Sequence, residues 1–168
     1  MNLVEYSDTL QEVIEDTVIT GSGILIEMGR KYFFIGNGGS AAIASHMATD
    51  FSNKAGISAL ALNDLSALTC VSNDYGYGDV FERQLGWHAK PGDRLFAISS
   101  SGQSANILNA AKYAGRAGLM VITMSGFAPD NPLRQLGDVN FYVPSSSYGI
   151  VETAHLAILH ALLEDVAK

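Results

Sequence analysis

Short apolar runs alternate with helical patterns of apolar residues along most of this chain. The predicted strands are 32–36, 58–62, 94–99, 119–124 and 139–143. The predicted helices are 40–53, 65–72, 78–88, 104–117, a short one near 131–136, and 149–167. Strands that alternate with helices in this way predict an α/β fold, in which a parallel sheet is covered on both faces and its strands are joined by right-handed crossovers.

The N-terminal region has a different pattern. Apolar residues recur at helical spacing from Leu3 to Thr17, and they predict a long first helix that continues into a second helical piece around residues 24–28. Gly21 and Gly23 are expected to break it. We therefore expect two parts, which are an N-terminal helical segment over residues 1–30 and one α/β domain over residues 31–168.

The first strand of that domain ends in glycines and a hydroxyl, with the sequence FFIGNGGS at residues 33–40. Glycines let the backbone approach an anion closely, and free N–H groups at the start of a helix favour negative charge. Ser40 adds a hydroxyl donor. A glycine-rich turn between a strand and a helix often serves only to reverse the chain, so this turn alone fits both interpretations.

A second turn, ISSSGQS at residues 98–104, follows another predicted strand and precedes another helix. One serine is enough to cap a helix, but four crowd this turn. In an open parallel sheet, ligands bind outside the carboxyl ends of the strands, where both turns are expected to lie. Together the two turns predict a hydroxyl-lined phosphate site.

The composition narrows the class of protein. With 168 residues, 48% of them hydrophobic, the chain should form one globular domain with a sizeable core. The formal charge of −7 and the lack of a Lys/Arg cluster argue against a nucleic-acid partner. No apolar run approaches the ~18 residues of a membrane span, and we see no signal-peptide pattern.

The single cysteine, Cys70, excludes an internal disulfide. It lies in the apolar run 67–71, so we expect it to be buried and inert. These features together favour a reduced, cytoplasmic location.

Two predicted helices carry groups that can move protons or bind a metal. His46 and Asp50 are four residues apart on one helix face, where they can share a metal or a hydrogen bond, or form a plain solvent-facing pair. The last helix carries Glu152, His155 and His160. His160 interrupts an apolar surface, which fits either a buried structural histidine or a neutral ligand or base.

Several of these blocks, taken in order, resemble one family. They are GNGGS at residues 36–40, VSNDYG at 71–76, ISSSGQSAN at 98–106 and the helix segment 152–160. This combination is similar to the sugar isomerase (SIS) domain of bacterial phosphoheptose isomerases, and it covers nearly all of the chain from residue 32 onward. The resemblance implies a three-layer, doubly wound, flavodoxin-like sheet of five parallel strands, with an N-terminal helical extension that packs on the domain and on other subunits.

The resemblance also implies an activity. Members of this family interconvert sedoheptulose 7-phosphate and D-glycero-D-manno-heptose 7-phosphate through a cis-enediol, on the way to the heptose of bacterial surface polysaccharides such as lipopolysaccharide. They are typically homotetramers whose active sites form between subunits, and several hold a zinc ion.

Carried over position by position, the family pattern implies a set of site residues. Asp50 and His160 match the catalytic acid and base, with the two roles unassigned. The implied zinc ligands are His46, Asp50, Glu152 and His160. The implied substrate-binding residues are Asn37, Gly38, Gly39, Ser40, Asn73, Asp74, Ser99, Ser100, Ser101, Ser104 and Glu152.

This chain departs from the family pattern at several of these places. Asp50 stands where glutamate is usual, Glu152 where glutamine is usual, and Ser100 where threonine is usual. Lys54 replaces an arginine and Gly149 an aspartate that relatives often carry. These changes leave two alternatives open, which are an isomerase for another sugar phosphate and a non-catalytic SIS module that binds a sugar phosphate or a protein.

Overall fold

The computed structural model describes residues 1–23 and 26–167. Within them one sheet contains β1 (Val18–Gly21), β2 (Tyr32–Ile35), β3 (Ala59–Ala61), β4 (Arg94–Ser99), β5 (Met120–Ser125) and β6 (Val139–Tyr142). The α-helices are α1 (Leu3–Glu15), α2 (Gly39–Ala55), α3 (Leu65–Tyr75), α4 (Val80–His88), α5 (Ala105–Arg116) and α6 (Tyr148–Val166), and two short 3₁₀ helices span Tyr77–Asp79 and Pro132–Gln135. None of the described helices is both long and apolar enough to cross a membrane.

The sheet has the order β1-β6-β5-β4-β2-β3, and every neighbouring pair is parallel except β1 with β6. The five parallel strands therefore follow the flavodoxin-like order 2-1-3-4-5, as the family resemblance implied. This order reverses between β2 and β4, and ligands bind at the carboxyl ends of the strands at such a point. The glycine turn, residues 36–40, follows β2, and the serine loop, residues 99–104, follows β4. The fold therefore brings these two turns side by side.

Helices cover both faces of the sheet. On one face α2 and α6 bury Met47, Phe51 and Leu159 against Phe34 and Phe96 of the sheet. On the other face α3, α4 and α5 bury apolar side chains against the alternate residues of the same strands, and these helix residues are Val71, Val80, Phe81, Leu85, Ile107, Ala110, Ala111 and Ala114. The predicted three-layer arrangement is confirmed.

A cluster of aromatic rings fixes the two strands that precede the site. Phe34 of β2 stacks on Phe96 of β4, with ring centroids 4.8 Å apart and an interplanar angle of 2°. Phe51 of α2 packs edge-on against Phe34 at 5.2 Å. Aromatic pairs of this geometry add about 0.5–1.5 kcal/mol beyond the area they bury. The cluster thus holds β2, β4 and α2 in one unit.

The N-terminal region differs from the sequence prediction. The first helix ends at Glu15, and residues 18–21 form β1, which pairs antiparallel with β6 and makes the sheet six-stranded rather than five-stranded. Val18, Ile19 and Thr20 are β-branched and favour a strand. In the predicted second helical piece, residues 26–28 are not helical, and residues 24 and 25 lie outside the described residues. α1 packs on α6, where the hydroxyls of Tyr6 and Thr153 are 2.9 Å apart.

One further prediction is wrong, and another is confirmed. Cys70 is exposed, because α3 lies on the surface and turns Val71 rather than Cys70 into the core. The short helix expected near 131–136 is the 3₁₀ helix Pro132–Gln135.

Candidate active site

The glycine turn, residues Gly36–Ser40, shapes the start of α2. Gly38 has φ +56°, a conformation that glycine adopts without strain. A side chain at Gly36 would overlap the backbone of Ser40, so the turn requires glycine there. α2 begins at Gly39, and among the described residues no side chain caps its first N–H groups. These free N–H groups, with the positive end of the helix dipole, form an anion-binding end.

The serine loop, Ser99–Ser104, leads from β4 into α5. Ser104 occupies the N-cap position without capping the helix, and its Oγ instead lies 3.4 Å from Ser99 Oγ. The hydroxyl of Ser100 is buried and has no hydrogen-bond partner among the described residues. Ser101 Oγ accepts a bond of 3.3 Å from the Gln103 N–H. Most of these hydroxyls are therefore free to donate to a bound anion.

The two turns enclose one cavity of about 280 Å³, which we call the serine cavity. It is lined by Asn37, Gly38, Gly39, Ser40, Ile98, Ser99, Ser100, Ser101, Ser104, Tyr148 and Glu152. Tyr148 was not among the predicted site residues, although it lies one helical turn before Glu152 on α6. The predicted residues of both turns are thus brought together at the switch point of the sheet.

The Asn37 side chain is held by a hydrogen-bond network beside this cavity. Its amide group and that of Asn106 donate to each other's carbonyl oxygen, each over 2.9 Å. The Tyr77 hydroxyl also donates to Asn37 Oδ1 over 2.9 Å. Asn106 and Tyr77 were not predicted as site residues, yet they tie the glycine turn to α5 and to the segment after α3.

Asn73 and Asp74 lie apart from the serine cavity in this chain. Both are exposed near the end of α3, where the Asn73 amide donates to Asp74 Oδ1 over 2.8 Å. Neither residue lines the cavity. Within the described chain these two residues are therefore not brought together with the other predicted substrate-binding residues.

A second group of polar side chains lies where α2 and α6 run side by side. His46, Asp50 and His160, which we call the His–Asp–His cluster, each offer a ligand atom, and these atoms all lie within 4.8 Å of one another. His46 Nε2 is 3.4 Å from Asp50 Oδ2. The His46 and His160 rings meet edge to face at 5.2 Å. The predicted catalytic pair, Asp50 and His160, is thus brought together.

Lys54 sets the charge of this cluster. Its ammonium nitrogen lies 2.9 Å from Asp50 Oδ2, one helical turn further along α2. The hydrogen bond from Lys54 holds the pKa of the Asp50 carboxyl below its ordinary value, against the opposing effect of partial burial. Asp50 is therefore a carboxylate at neutral pH, able to bind a cation or accept a proton.

Two imidazoles and a carboxylate form a donor set that fits zinc. Catalytic zinc sites commonly use three protein ligands of these types and leave a fourth position open. Glu152, the fourth predicted ligand, does not join the group in this chain. It lies eight residues before His160, a helical rise of about 12 Å, and its carboxylate faces Gly39 at the serine cavity.

His155 has no part in either group. It is fully buried, and its Nε2 lies 3.3 Å from the Ser125 carbonyl oxygen, to which it donates. Burial lowers the pKa of His155 to about 4, so the ring is neutral at pH 7. His155 is thus a structural histidine, a role that the sequence had offered for His160 and not for His155.

Several known proteins are similar to this chain in both sequence and fold. The SIS domain family matches residues 6–126. A phosphoheptose isomerase from Mycobacterium tuberculosis is 40% identical over 91% of this chain and 79% of its own length. One from Thiobacillus denitrificans is 38% identical over 97% of this chain and 86% of its own length. The solved phosphoheptose isomerase of Neisseria gonorrhoeae, 32% identical, superposes with a TM-score of 0.75 over 96% of this chain and 82% of its own. The chain therefore belongs to the phosphoheptose isomerase family of SIS-domain proteins.

Proposed function

We propose that this protein is an aldose–ketose isomerase that interconverts sedoheptulose 7-phosphate and D-glycero-D-manno-heptose 7-phosphate. The relatives named above are phosphoheptose isomerases, which supports the enzyme class and the substrate. The observation that carries the proposal is the placement of two groups along one pair of helices. The serine cavity lies at the start of α2 and α6, and the His–Asp–His cluster lies further along both.

The spacing along these helices supports a long, open-chain substrate. His46 lies seven positions after Gly39 on α2, a helical rise of about 10 Å at 1.5 Å per residue. An extended heptose 7-phosphate has eight bonds between phosphorus and C1, and at roughly 1.2 Å per bond, as in an extended peptide, these span about 10 Å. A pentose 5-phosphate has six such bonds and spans roughly 7 Å. With its phosphate in the serine cavity, a heptose phosphate can therefore place C1 and C2 beside the cluster.

The reaction moves protons between C1 and C2 of the open-chain sugar. One member of the Asp50–His160 pair removes the C1 proton of the ketose, while the other gives a proton to the carbonyl oxygen on C2. The product of this step is a cis-enediol. Return of a proton to C2 and loss of the hydroxyl proton on the C1 oxygen then give the aldose. A positioned acid or base typically contributes about 10²- to 10⁴-fold to such a step.

His46, Asp50 and His160 are the residues that would hold a zinc ion. When bound, the metal would polarise the carbonyl oxygen and stabilise charge that develops on it. Beside these residues, Lys54 holds the pKa of the Asp50 carboxyl below its ordinary value, and the rings of His46 and His160 lie edge to face at 5.2 Å.

A homotetramer with active sites between subunits belongs to the same proposal. Leu3 and Val4 on α1 are 83% and 68% exposed, which supports an interface along the N-terminal segment, residues 1–30. The exposed pair Asn73 and Asp74 would then reach the substrate of a neighbouring subunit. A cytoplasmic location and a role in surface polysaccharide synthesis stay predictions.

A panel of ketose and aldose phosphates in heavy water tests this function. We expect deuterium to enter at C1 or C2 of the heptose phosphate, faster than in hexose or pentose phosphates, and the aldose to form. Faster exchange in a shorter sugar would identify a different isomerase. Binding without exchange in any sugar would contradict the proposal and favour the non-catalytic module.

A further inference from the structure

The serine loop rests on a buried side chain that does not line the serine cavity. Asn131, 2% exposed, immediately precedes the 3₁₀ helix Pro132–Gln135. Its amide nitrogen lies 3.0 Å from Ser125 Oγ, 2.9 Å from the Ala128 carbonyl and 3.3 Å from the Gly126 carbonyl. Its carbonyl oxygen caps the 3₁₀ helix by accepting from the Arg134 N–H over 3.1 Å. Asn131 thus uses both of its polar atoms inside the protein.

The same side chain forms the support beneath Gly102 in the middle of the serine loop. Gly102 has φ +65°, and a Cβ at this position would overlap the Asn131 side chain. Backbone hydrogen bonds from residues before and after Asn131 also hold the serine loop. The Leu133 N–H donates to the Gly102 carbonyl over 3.1 Å, and the Gly126 N–H donates to the Ser100 carbonyl over 2.9 Å. The loop therefore takes its shape from the segment centred on Asn131.

We infer that Asn131 is a positioning residue for phosphate binding, an inference that rests on the proposed function. The serine hydroxyls bind a phosphate well only when they already converge on one point. Asn131 fixes that arrangement by supporting Gly102 and by holding Ser125, which is aligned with Ser99 in the sheet, and Gly126, whose N–H donates to the Ser100 carbonyl. Without this side chain the loop has more conformations to lose when phosphate binds, and affinity falls.

Replacement of Asn131 by alanine, with a matched control, tests the inference. Asn140 provides the control, because it is also a buried asparagine whose side chain bonds to Thr123 Oγ1 and to the Gly137 carbonyl. Neither of those partners belongs to the serine loop. We expect Asn131→Ala to raise the Kd of inorganic phosphate, measured by calorimetry, and the KM of the sugar phosphate by about tenfold, with kcat nearly unchanged. Asn140→Ala should lower Tm and leave Kd and KM unchanged.

A second variant guards against loss of the fold. Serine is as good an N-cap as asparagine, so Asn131→Ser keeps the cap on the 3₁₀ helix and loses the amide that holds Ser125 and Gly126. We expect it to fold and to weaken phosphate binding as the alanine variant does.

The outcomes separate this inference from the proposed function. If both Asn131 variants bind phosphate as tightly as the wild type and differ from it only in Tm, Asn131 is merely structural and the inference is wrong. If the wild-type protein shows no isomerase activity in the heavy-water assay and no phosphate binding, the proposed function itself fails.

Discussion

Replacement of the Ser100 hydroxyl tests whether the serine cavity is a phosphate-binding site. Its Oγ is buried without a hydrogen-bond partner among the described residues, although the residue lines the cavity. A buried hydroxyl without a partner costs about 1–3 kcal/mol, and a hydrogen bond to a charged group contributes about 1.5–3 kcal/mol. Ser100→Ala should therefore affect ligand binding and protein stability in opposite directions.

We expect Ser100→Ala to weaken the binding of inorganic phosphate by about 10- to 100-fold. Its Tm should stay the same or rise by up to about 4 °C, because the free protein loses an unsatisfied group. Calorimetric titration and a thermal melt measure the two effects.

Thr123→Val is the matched control. The Thr123 hydroxyl is also fully buried, but it donates to Asn140 Oδ1. Its loss should lower Tm by about 2–6 °C, because it leaves an acceptor unpaired, and should leave phosphate binding unchanged. If Ser100→Ala behaves like Thr123→Val, losing stability and keeping its phosphate affinity, the assignment of the serine cavity is wrong.

Three further predictions concern the histidines and carboxylates. Asp50→Asn and His160→Ala should each lower kcat by about 10²- to 10⁴-fold and leave the affinity for phosphate unchanged. If steady-state kinetics show unaltered turnover in both variants, the two residues are not the catalytic acid and base. Zinc content by elemental analysis should fall in His46→Ala and persist in Glu152→Ala, because Glu152 lies outside the His–Asp–His cluster; loss of zinc in Glu152→Ala would contradict this grouping. The pKa of His155 is about 4 in the folded protein and 6.5 in its ordinary environment. Between pH 6.5 and pH 4 the unfolded chain therefore holds a proton on this ring that the folded protein does not, and the free energy of unfolding falls as the pH drops through this range. Denaturant melts should show a loss of roughly 3 kcal/mol in the free energy of unfolding when the change is complete. The loss should be smaller in His155→Leu and unchanged in a variant of the exposed His88. An equal loss in the two variants would refute this explanation.

The sequence predicted the parts of the site that depend on local pattern. The glycine and serine turns were identifiable because each follows an apolar run and precedes a helix, and the sheet order then brings them together. His46 and Asp50 could be paired from their spacing on one helix. Their contact with His160, which is 110 residues further along the chain than Asp50, came from the family resemblance, since spacing on one helix says nothing about a second helix.

The predictions that failed depended on tertiary context. β1 is a strand because the edge of β6 is available to pair with it, and helical spacing in the preceding residues extended the predicted helix too far. Cys70 was expected to be buried because its neighbours in the sequence are apolar. α3 lies on the surface, however, and turns Val71 rather than Cys70 toward the core. The support beneath Gly102 was not predicted, because Asn131 is 29 residues further along the chain and lies against Gly102 only in the folded protein.

The two parallel helices restrict how this site can adapt to sugars of other lengths. Moving a reactive side chain by one turn shifts it about 5.4 Å, the length of four or five carbon–carbon bonds, so helix positions offer only coarse adjustment. Adjustment by a single carbon must come from the side chains themselves. The aspartate at position 50 is one methylene shorter than the glutamate that the family resemblance implies there, which is a difference of that fine size.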